Sequence, residues 1–288
     1  MDDRLELAAI EHYRREGYLV VRGLLAPAHV AACIDGLMAL AADPALAPGS
    51  VPGEAPFLTL EPAADAAVEP AARADLVRKF GNFTDTAPAL RRAAMSARLH
   101  AILDQLMGAG RVLIQEMALV KPPRIGAEKR WHQDAAYFRA DDPGLVFGVW
   151  IALDPVDAGN GCMEVVPRSH RDGAVPHVPH ADINLCTIQP ALVRRAARVP
   201  IALAPGDALV FHSLLHHYTA ANTSDRRRRA LQFHYAQAGV RWTSLAEHRA
   251  LYHDAAGAYA GCTVALGTPL DDTYSYLPRR QRPVVPID

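Results

Sequence analysis

The sequence predicts an α+β, mainly β architecture: a double-stranded β-helix, or jelly roll, braced by helices gathered at its N-terminal end. Three observations predict it. Apolar residues recur at helical spacing through the first hundred residues, short β-rich runs punctuated by Pro, Gly, Asn and Asp replace them after Gly110, and no internal repeat connects the two textures. Many short antiparallel strands leave vulnerable edges, and two sheets rolled against each other protect them economically.

In chain order, residues 4–15 place apolar side chains on one helical face, and Gly17 breaks that helix before "YLVVRGLL", which reads as a strand. Helical periodicity resumes in "APAHVAACIDGLMALAA". Residues 44–66 concentrate Pro, Gly and small side chains, which predicts a long lid-like loop. A further helix is expected over 86–107. The runs "RVLIQEMALVK", "GLVFGVWIALDPV", "CMEVVP", "DALVFHS" and "RALQFHYAQ" then read as strands, with the Asn160-Gly161 pair making a tight turn. The chain is read as one domain over 1–288: a mainly helical bracing region at 1–109, a jelly-roll core at 110–240 and a C-terminal extension at 241–288.

Bulk properties narrow the function classes. The 288 residues are 50% hydrophobic and carry a formal net charge of −1, so nothing directs the chain toward nucleic acid or an anionic membrane. No apolar stretch reaches the length of a membrane span, and the N-terminus has no apolar core of a secretion signal. Cys33, Cys162, Cys186 and Cys262 are scattered without a C-x-x-C pair, so neither a disulfide framework nor a thiolate zinc site is expected. A soluble, cytoplasmic protein with a small-molecule ligand is the expectation.

The stretch "RWHQDAAYF" places His132 and Asp134 two positions apart. On an extended strand residues i and i+2 share a face, so an imidazole and a carboxylate would offer adjacent coordination positions. A third ligand must come from a distant strand, and "DALVFHSLLHHYTAAN" offers His212, His216 and His217. Two histidines and one carboxylate form the facial triad of non-haem Fe(II) oxygenases. Spacing alone leaves the choice among the three histidines open, and a histidine such as His132, His212 or His216 taken singly is better explained as a hydrogen-bonded core or surface residue than as a ligand, by about three to one.

Taken together, "WHQDAAYF", "GNGCMEVVPRSH" and "GDALVFHSLLHHYTAANTSDRRRRALQFHY" resemble the phytanoyl-CoA dioxygenase-like (PhyH) family of Fe(II)/2-oxoglutarate-dependent oxygenases, from the N-terminal helix to about residue 240. The resemblance implies that His132, Asp134 and His217 hold the metal. It also implies that Arg228, eleven residues after His217, binds the distal carboxylate of 2-oxoglutarate. A planar guanidinium suits that task because it grips a carboxylate through two charge-assisted hydrogen bonds. On a strand Arg228 shares its face with Ala230, Gln232 and His234, the more polar side; Arg226 and Arg227 read as solvated. By the same resemblance Thr219, Gln115, Met117, Lys121 and Trp150 line the cosubstrate pocket, a core role being an equal account of Trp150; Gln133 and Tyr137, next to the metal motif, are placed against the substrate, with a framework role equally open for each.

The expected chemistry is hydroxylation of an unactivated C–H bond of a small metabolite or natural-product intermediate, using O2 and releasing succinate and CO2. An intact Asp134 argues against halogenation, because related halogenases place a small residue there. Two other classes compete. A cupin-like zinc hydrolase or isomerase could use the same three ligands, but has no need for Arg228 and Thr219 at this register. A non-catalytic binding protein would have no affinity for iron or 2-oxoglutarate.

Overall fold

The computed structural model describes residues 4–49, 55–64, 68–179, 186–258, 260–262 and 281–287. Helices α1 (Leu7–Glu16), α2 (Pro27–Ala42), α3 (Pro88–Ala94), α4 (Ala97–Met107) and α5 (Leu245–Leu251) accompany fourteen described strands. These are β1 (Tyr18–Val21), β2 (Phe57–Leu60), β3 (Val77–Gly81), β4 (Arg111–Lys121), β5 (Lys129–His132), β6 (Val146–Ala152) and β7 (Met163–Val165), followed by β8 (His177–Pro179), β9 (Cys186–Ile188), β10 (Val199–Ile201), β11 (Ala208–His212), β12 (His217–Thr219), β13 (Arg228–Gln237) and β14 (Arg282–Pro283).

The major sheet runs β1-β11-β6-β13-β4-β3-β2, with β14 also paired to β4; the minor sheet runs β10-β7-β12-β5. Every ladder in both sheets is antiparallel. The structure is the expected jelly roll. Strand alternation divides the major sheet's two faces. Leu231, Phe233 and Tyr235 of β13 join Val149, Ile151 and Val210 in a core covered by Tyr13, Leu37, Leu90, Leu99 and Leu103 of α1 to α4. The opposite residues, Trp150, Ala152, Leu209, Phe211 and Ala230, pack between the sheets with Met163 and Val165. The helices therefore seal one face while the other becomes the lining of an interior.

Several boundaries differ from expectation. The helix expected over 86–107 is two: α3 closes at Met95, and Ser96 restarts the chain by accepting the Leu99 N–H on its hydroxyl at 3.4 Å. The strand begun at Tyr18 stops at Val21, because Gly23 turns with φ 56° and its N–H binds the Asp207 carboxylate at 2.8 Å. Residues 57–60, expected within a loop, form β2, whose hydrogen bonds to β3 extend the major sheet; 50–54 and 65–66 of that loop lie outside the described residues. The mainly helical N-terminal region thus contributes three strands to the sheet. Cys186 and Cys262 are joined in a disulfide, a pairing the scattered cysteines gave no reason to expect; Cys33 and Cys162 are free and buried. Among the described residues no helix is long and apolar enough to cross a membrane.

Candidate metal centre and cosubstrate pocket

His132 and His217 face each other directly across the antiparallel β5–β12 ladder. Their ring centroids are 4.0 Å apart. His132 is the last residue of its strand, so the expected continuous strand through Asp134 is corrected: Asp134 opens a single 3-10 turn. Gln133 between them is extended (φ −110°, ψ 132°), which keeps His132 and Asp134 on one side and sends Gln133 to the other.

The three side chains are all buried, and a ligand atom from each lies within 4.8 Å of the others. Asp134 Oδ1 is 3.4 Å from His132 Nε2 and 3.5 Å from His217 Nε2. Each ring turns its other nitrogen to a carbonyl: His132 Nδ1 donates to Arg130 at 2.7 Å and His217 Nδ1 to Leu215 at 2.9 Å. A carbonyl only accepts, so Nδ1 carries a proton in each ring and both Nε2 atoms are turned toward Asp134 Oδ1. Burial pushes the His132 pKa down to about 3, which keeps that ring neutral and able to coordinate. Burial acts to raise the Asp134 pKa, but the His217 and His234 rings beside it hold it well below the usual carboxylate range.

His234 was not among the expected site residues. Its Nε2 donates to Asp134 Oδ2 at 2.8 Å, so the major sheet braces a carboxylate supplied by the minor sheet's edge. That bond engages Oδ2 and leaves Oδ1 for the cluster. The sequence did carry a signal, since strand alternation puts His234 on the same interior face as Arg228.

Arg228 pairs with Lys121 across the β13–β4 ladder and is 1% exposed. Its Nη1 donates to the Leu119 carbonyl at 3.1 Å, its Cζ lies 5.3 Å from the centre of the Trp150 ring, and its Nε is buried with no partner among the described residues. Burial pushes its pKa down to about 10. The neighbouring arginines behave differently: Arg226 pairs with Asp157 at 2.5 Å, Arg227 with Asp75, and Arg229 with Asp154 at 2.6 Å. Arg226 and Arg227 are thus ion-paired rather than merely solvated. Among the described residues no carboxylate lies within ion-pair distance of Arg228.

Gln115, Met117, Lys121, Trp150, Thr219 and Tyr137 line one cavity with the three clustered residues and Arg228, about 430 Å³ in volume. Lys121 reaches it differently from expectation. Its ammonium donates to the carbonyls of Ala127 and Ala220, both at 2.6 Å, and more distantly to Thr219. Those carbonyls, and a pKa driven well down by burial and Arg228, make Lys121 a brace of the pocket wall. Gly161 leaves room for it: at φ 83°, an added Cβ would sit 2.4 Å from the Ala220 carbonyl and 2.9 Å from Lys121 Cδ. Asn222 secures the turn before β13, its amide donating to Lys121, Pro122 and Arg226 carbonyls.

The expectation that Gln133 touches substrate is corrected. It is fully buried, its Nε2 donates to Gly173 and Leu214 carbonyls at 2.8 Å, and its Oε1 accepts the Val175 N–H at 3.0 Å. Every polar atom of the amide is engaged, and the residue braces the loop between two cluster members. Tyr137 does face the cavity, its hydroxyl 2.6 Å from Lys129 Nζ. Neither His212 nor His216 joins the cluster; His212 Nδ1 instead accepts the Leu214 N–H at 3.1 Å.

A jelly roll that gathers two imidazoles and one carboxylate at the head of a cavity has the arrangement of the non-haem iron oxygenase class. Comparison with known proteins specifies the family. The family model for phytanoyl-CoA dioxygenase (PhyH) matches residues 13–230, and the chain belongs to that family. It is 32% identical over 152 residues to the phytanoyl-CoA dioxygenase domain-containing protein 1 of Danio rerio, covering 51% of this chain and 52% of that one. With phytanoyl-CoA dioxygenase 1 of Oryza sativa subsp. japonica it shares 28% over 158 residues, covering 54% and 56%. The chain thus spans about half the length of these curated relatives. Among solved structures, EctD from S. alaskensis with bound Fe superposes with a TM-score of 0.66 at 20% identity, covering 85% of this chain and 81% of that one. EvdO2 from Micromonospora carbonacea var. aurantiaca complexed with 2-oxoglutarate gives 0.64 at 24%, covering 84% and 94%. At these identities the likeness establishes the fold.

Proposed function

We propose that the protein is an Fe(II)/2-oxoglutarate-dependent dioxygenase that hydroxylates an unactivated C–H bond of a small molecule. The observation that carries this reading is Arg228: a buried guanidinium without a carboxylate partner among the described residues, in the same cavity as the His132–Asp134–His217 cluster. Burying an unpaired charge is expensive, and a ligand carboxylate relieves that cost. A zinc hydrolase built on the same cluster leaves this arginine unexplained. The neighbours with bound Fe and with 2-oxoglutarate support the same cofactor pair.

The residues fit the group. His132 and His217 present Nε2, Asp134 presents Oδ1, and three donors on one side leave the cavity side open for a chelating keto acid, O2 and substrate. When bound, Fe(II) with 2-oxoglutarate and O2 supplies the oxidation, with succinate and CO2 released. The chain's own part is positional. Arg228 holds the distal carboxylate with Trp150 packed beside it, Thr219 offers a hydroxyl from the same wall, and Lys121 stiffens that wall. His234 keeps Asp134 in a one-oxygen orientation. Gln115, Met117 and Leu119 floor the remaining space, where a substrate carbon is oriented and water kept out.

The test is calorimetric titration of 2-oxoglutarate into anaerobic protein with and without Fe(II), repeated on His132→Ala. Iron-dependent binding lost in the variant is the expected result; binding that ignores both iron and the substitution overturns the assignment.

A further inference from the structure

The cosubstrate reading accounts for Arg228 but leaves a second cation in the same cavity unexplained. Lys79 lies on β3, where it pairs with Leu119 of β4 on one side and Thr59 of β2 on the other. Thr59, Lys79 and Leu119 all line the cavity, so this row crosses its floor away from β13. Adjacent strands are about 4.8 Å apart, which sets Lys79 roughly 10 Å from the Arg228 strand, with β4 between them. The face of β4 in that interval is apolar at Met117 and Leu119.

The ammonium itself has no counter-ion among the described residues. Its Nζ sits 5.3 Å from the centre of the Phe57 ring, and Gly81 admits that ring by having no side chain: a Cβ there would lie 2.4 Å from it. Only two carboxylates line the cavity among the described residues, Asp134 and Glu61. Asp134 belongs to the metal cluster. Glu61 is held by Arg78 at 3.0 Å and by the Ala127 N–H at 3.2 Å, and it makes no ion pair with Lys79. Burial, together with the neighbouring Arg78, draws the Lys79 pKa below the usual ammonium range, so its charge is under-compensated where it stands. A cation of this kind at the far wall of a ligand cavity favours an anionic partner.

We propose that Lys79 is a specificity-determining residue, and that the substrate is a small organic anion whose charged group meets Lys79 while its apolar body lies over Met117 and Leu119. This rests on the dioxygenase reading and names its substrate class. Carboxylate, phosphate and sulfate groups share the required chemistry, and separate probes distinguish them.

The experiment uses the full chain loaded anaerobically with Fe(II) and saturating 2-oxoglutarate, so that Arg228 is already engaged. Hexanoate, hexyl phosphate and hexyl sulfate are titrated beside hexanol and hexylamine at up to millimolar concentrations. At least one anion is expected to bind about ten- to a hundredfold more tightly than both controls, and the tightest names the headgroup. Lys79→Met is expected to remove that preference and Lys79→Arg to retain it, while 2-oxoglutarate binding in both variants reports an intact fold. Equal binding of anions and controls, no binding of any anion, or an anion preference surviving in Lys79→Met overturns the inference. Wild-type protein that fails to bind 2-oxoglutarate in the loading step overturns the dioxygenase reading first, and this inference with it.

Discussion

Replacing Arg228 by Met should move stability and cosubstrate affinity in opposite directions. The guanidinium is 1% exposed, makes one hydrogen bond among the described residues, to Leu119, and leaves Nε without a partner among them. An unpaired buried ion costs the fold several kcal/mol, and a Met side chain of similar length removes that cost while giving up the Leu119 bond, worth about 1.5–3 kcal/mol because the donor is charged. The net expectation is a metal-free protein stabilised by about 1 kcal/mol, or roughly 2–4 °C in melting temperature for a chain of this size. For 2-oxoglutarate the same change leaves a carboxylate buried without its partner, costing about 2–5 kcal/mol, or roughly 30- to 4,000-fold in affinity. Scanning calorimetry of the metal-free protein and anaerobic titration of the Fe(II) form measure the two quantities separately. A variant that melts several degrees lower yet binds 2-oxoglutarate normally would refute the reasoning, because Arg228 would then be a structural residue already satisfied in the fold.

His234→Leu should weaken Fe(II) binding about 10- to 100-fold by releasing Asp134 Oδ2, with His234→Gln recovering much of the loss; equal Fe(II) affinity in all three proteins would make His234 a packing residue. Cys262→Ser opens the loop closed with Cys186 across a sequence separation of 76, and urea unfolding should report a loss of about 2–4 kcal/mol; an unchanged midpoint contradicts a constraint on the unfolded chain. Burial lowers the pKa values of His100, His212 and His248 to about 4, so these rings stay neutral when folded and take up protons only on unfolding between about pH 6.5 and 4. Their contribution is complete above pH 6.5 and is lost as pH falls through that window, with a slope steeper than about 1.4 kcal/mol per pH unit. Urea midpoints that stay level from pH 6.5 to 4.5 would contradict it.

Much of the site was legible because strands impose a period of two. The alternation in β13 that sends Leu231, Phe233 and Tyr235 toward the helices also sends Arg228 and Gln232 inward, and Gln115, Met117 and Leu119 follow the same rule on β4. His217 needed the family resemblance, since periodicity does not choose among three neighbouring histidines. What escaped has physical causes. β3 reads "VRKFG", too short and too charged to show a pattern, and β2 sits among prolines and glycines that advertise a loop. Gln133 was misplaced because its role depends on Gly173, Val175 and Leu214, carbonyls and an amide brought in from distant segments. The Cys186–Cys262 bond joins residues whose proximity exists only in three dimensions. His234 was placed on the right face, but its bond to Asp134 depends on how closely two sheets approach, which no single strand's pattern encodes.

The central claim is that His132, Asp134 and His217 hold a metal to which 2-oxoglutarate binds with Arg228 as its anchor. Anaerobic titration of Fe(II) into wild-type protein and Asp134→Ala, each with 2-oxoglutarate present, tests it most directly by following the metal-to-ligand charge-transfer absorbance of the chelate. The account predicts a saturable band in wild type, with iron and 2-oxoglutarate each binding stoichiometrically, and in the variant a band that needs about tenfold or more Fe(II) to appear. Absence of the band in wild type, or its persistence in Asp134→Ala at the same affinity, would contradict it.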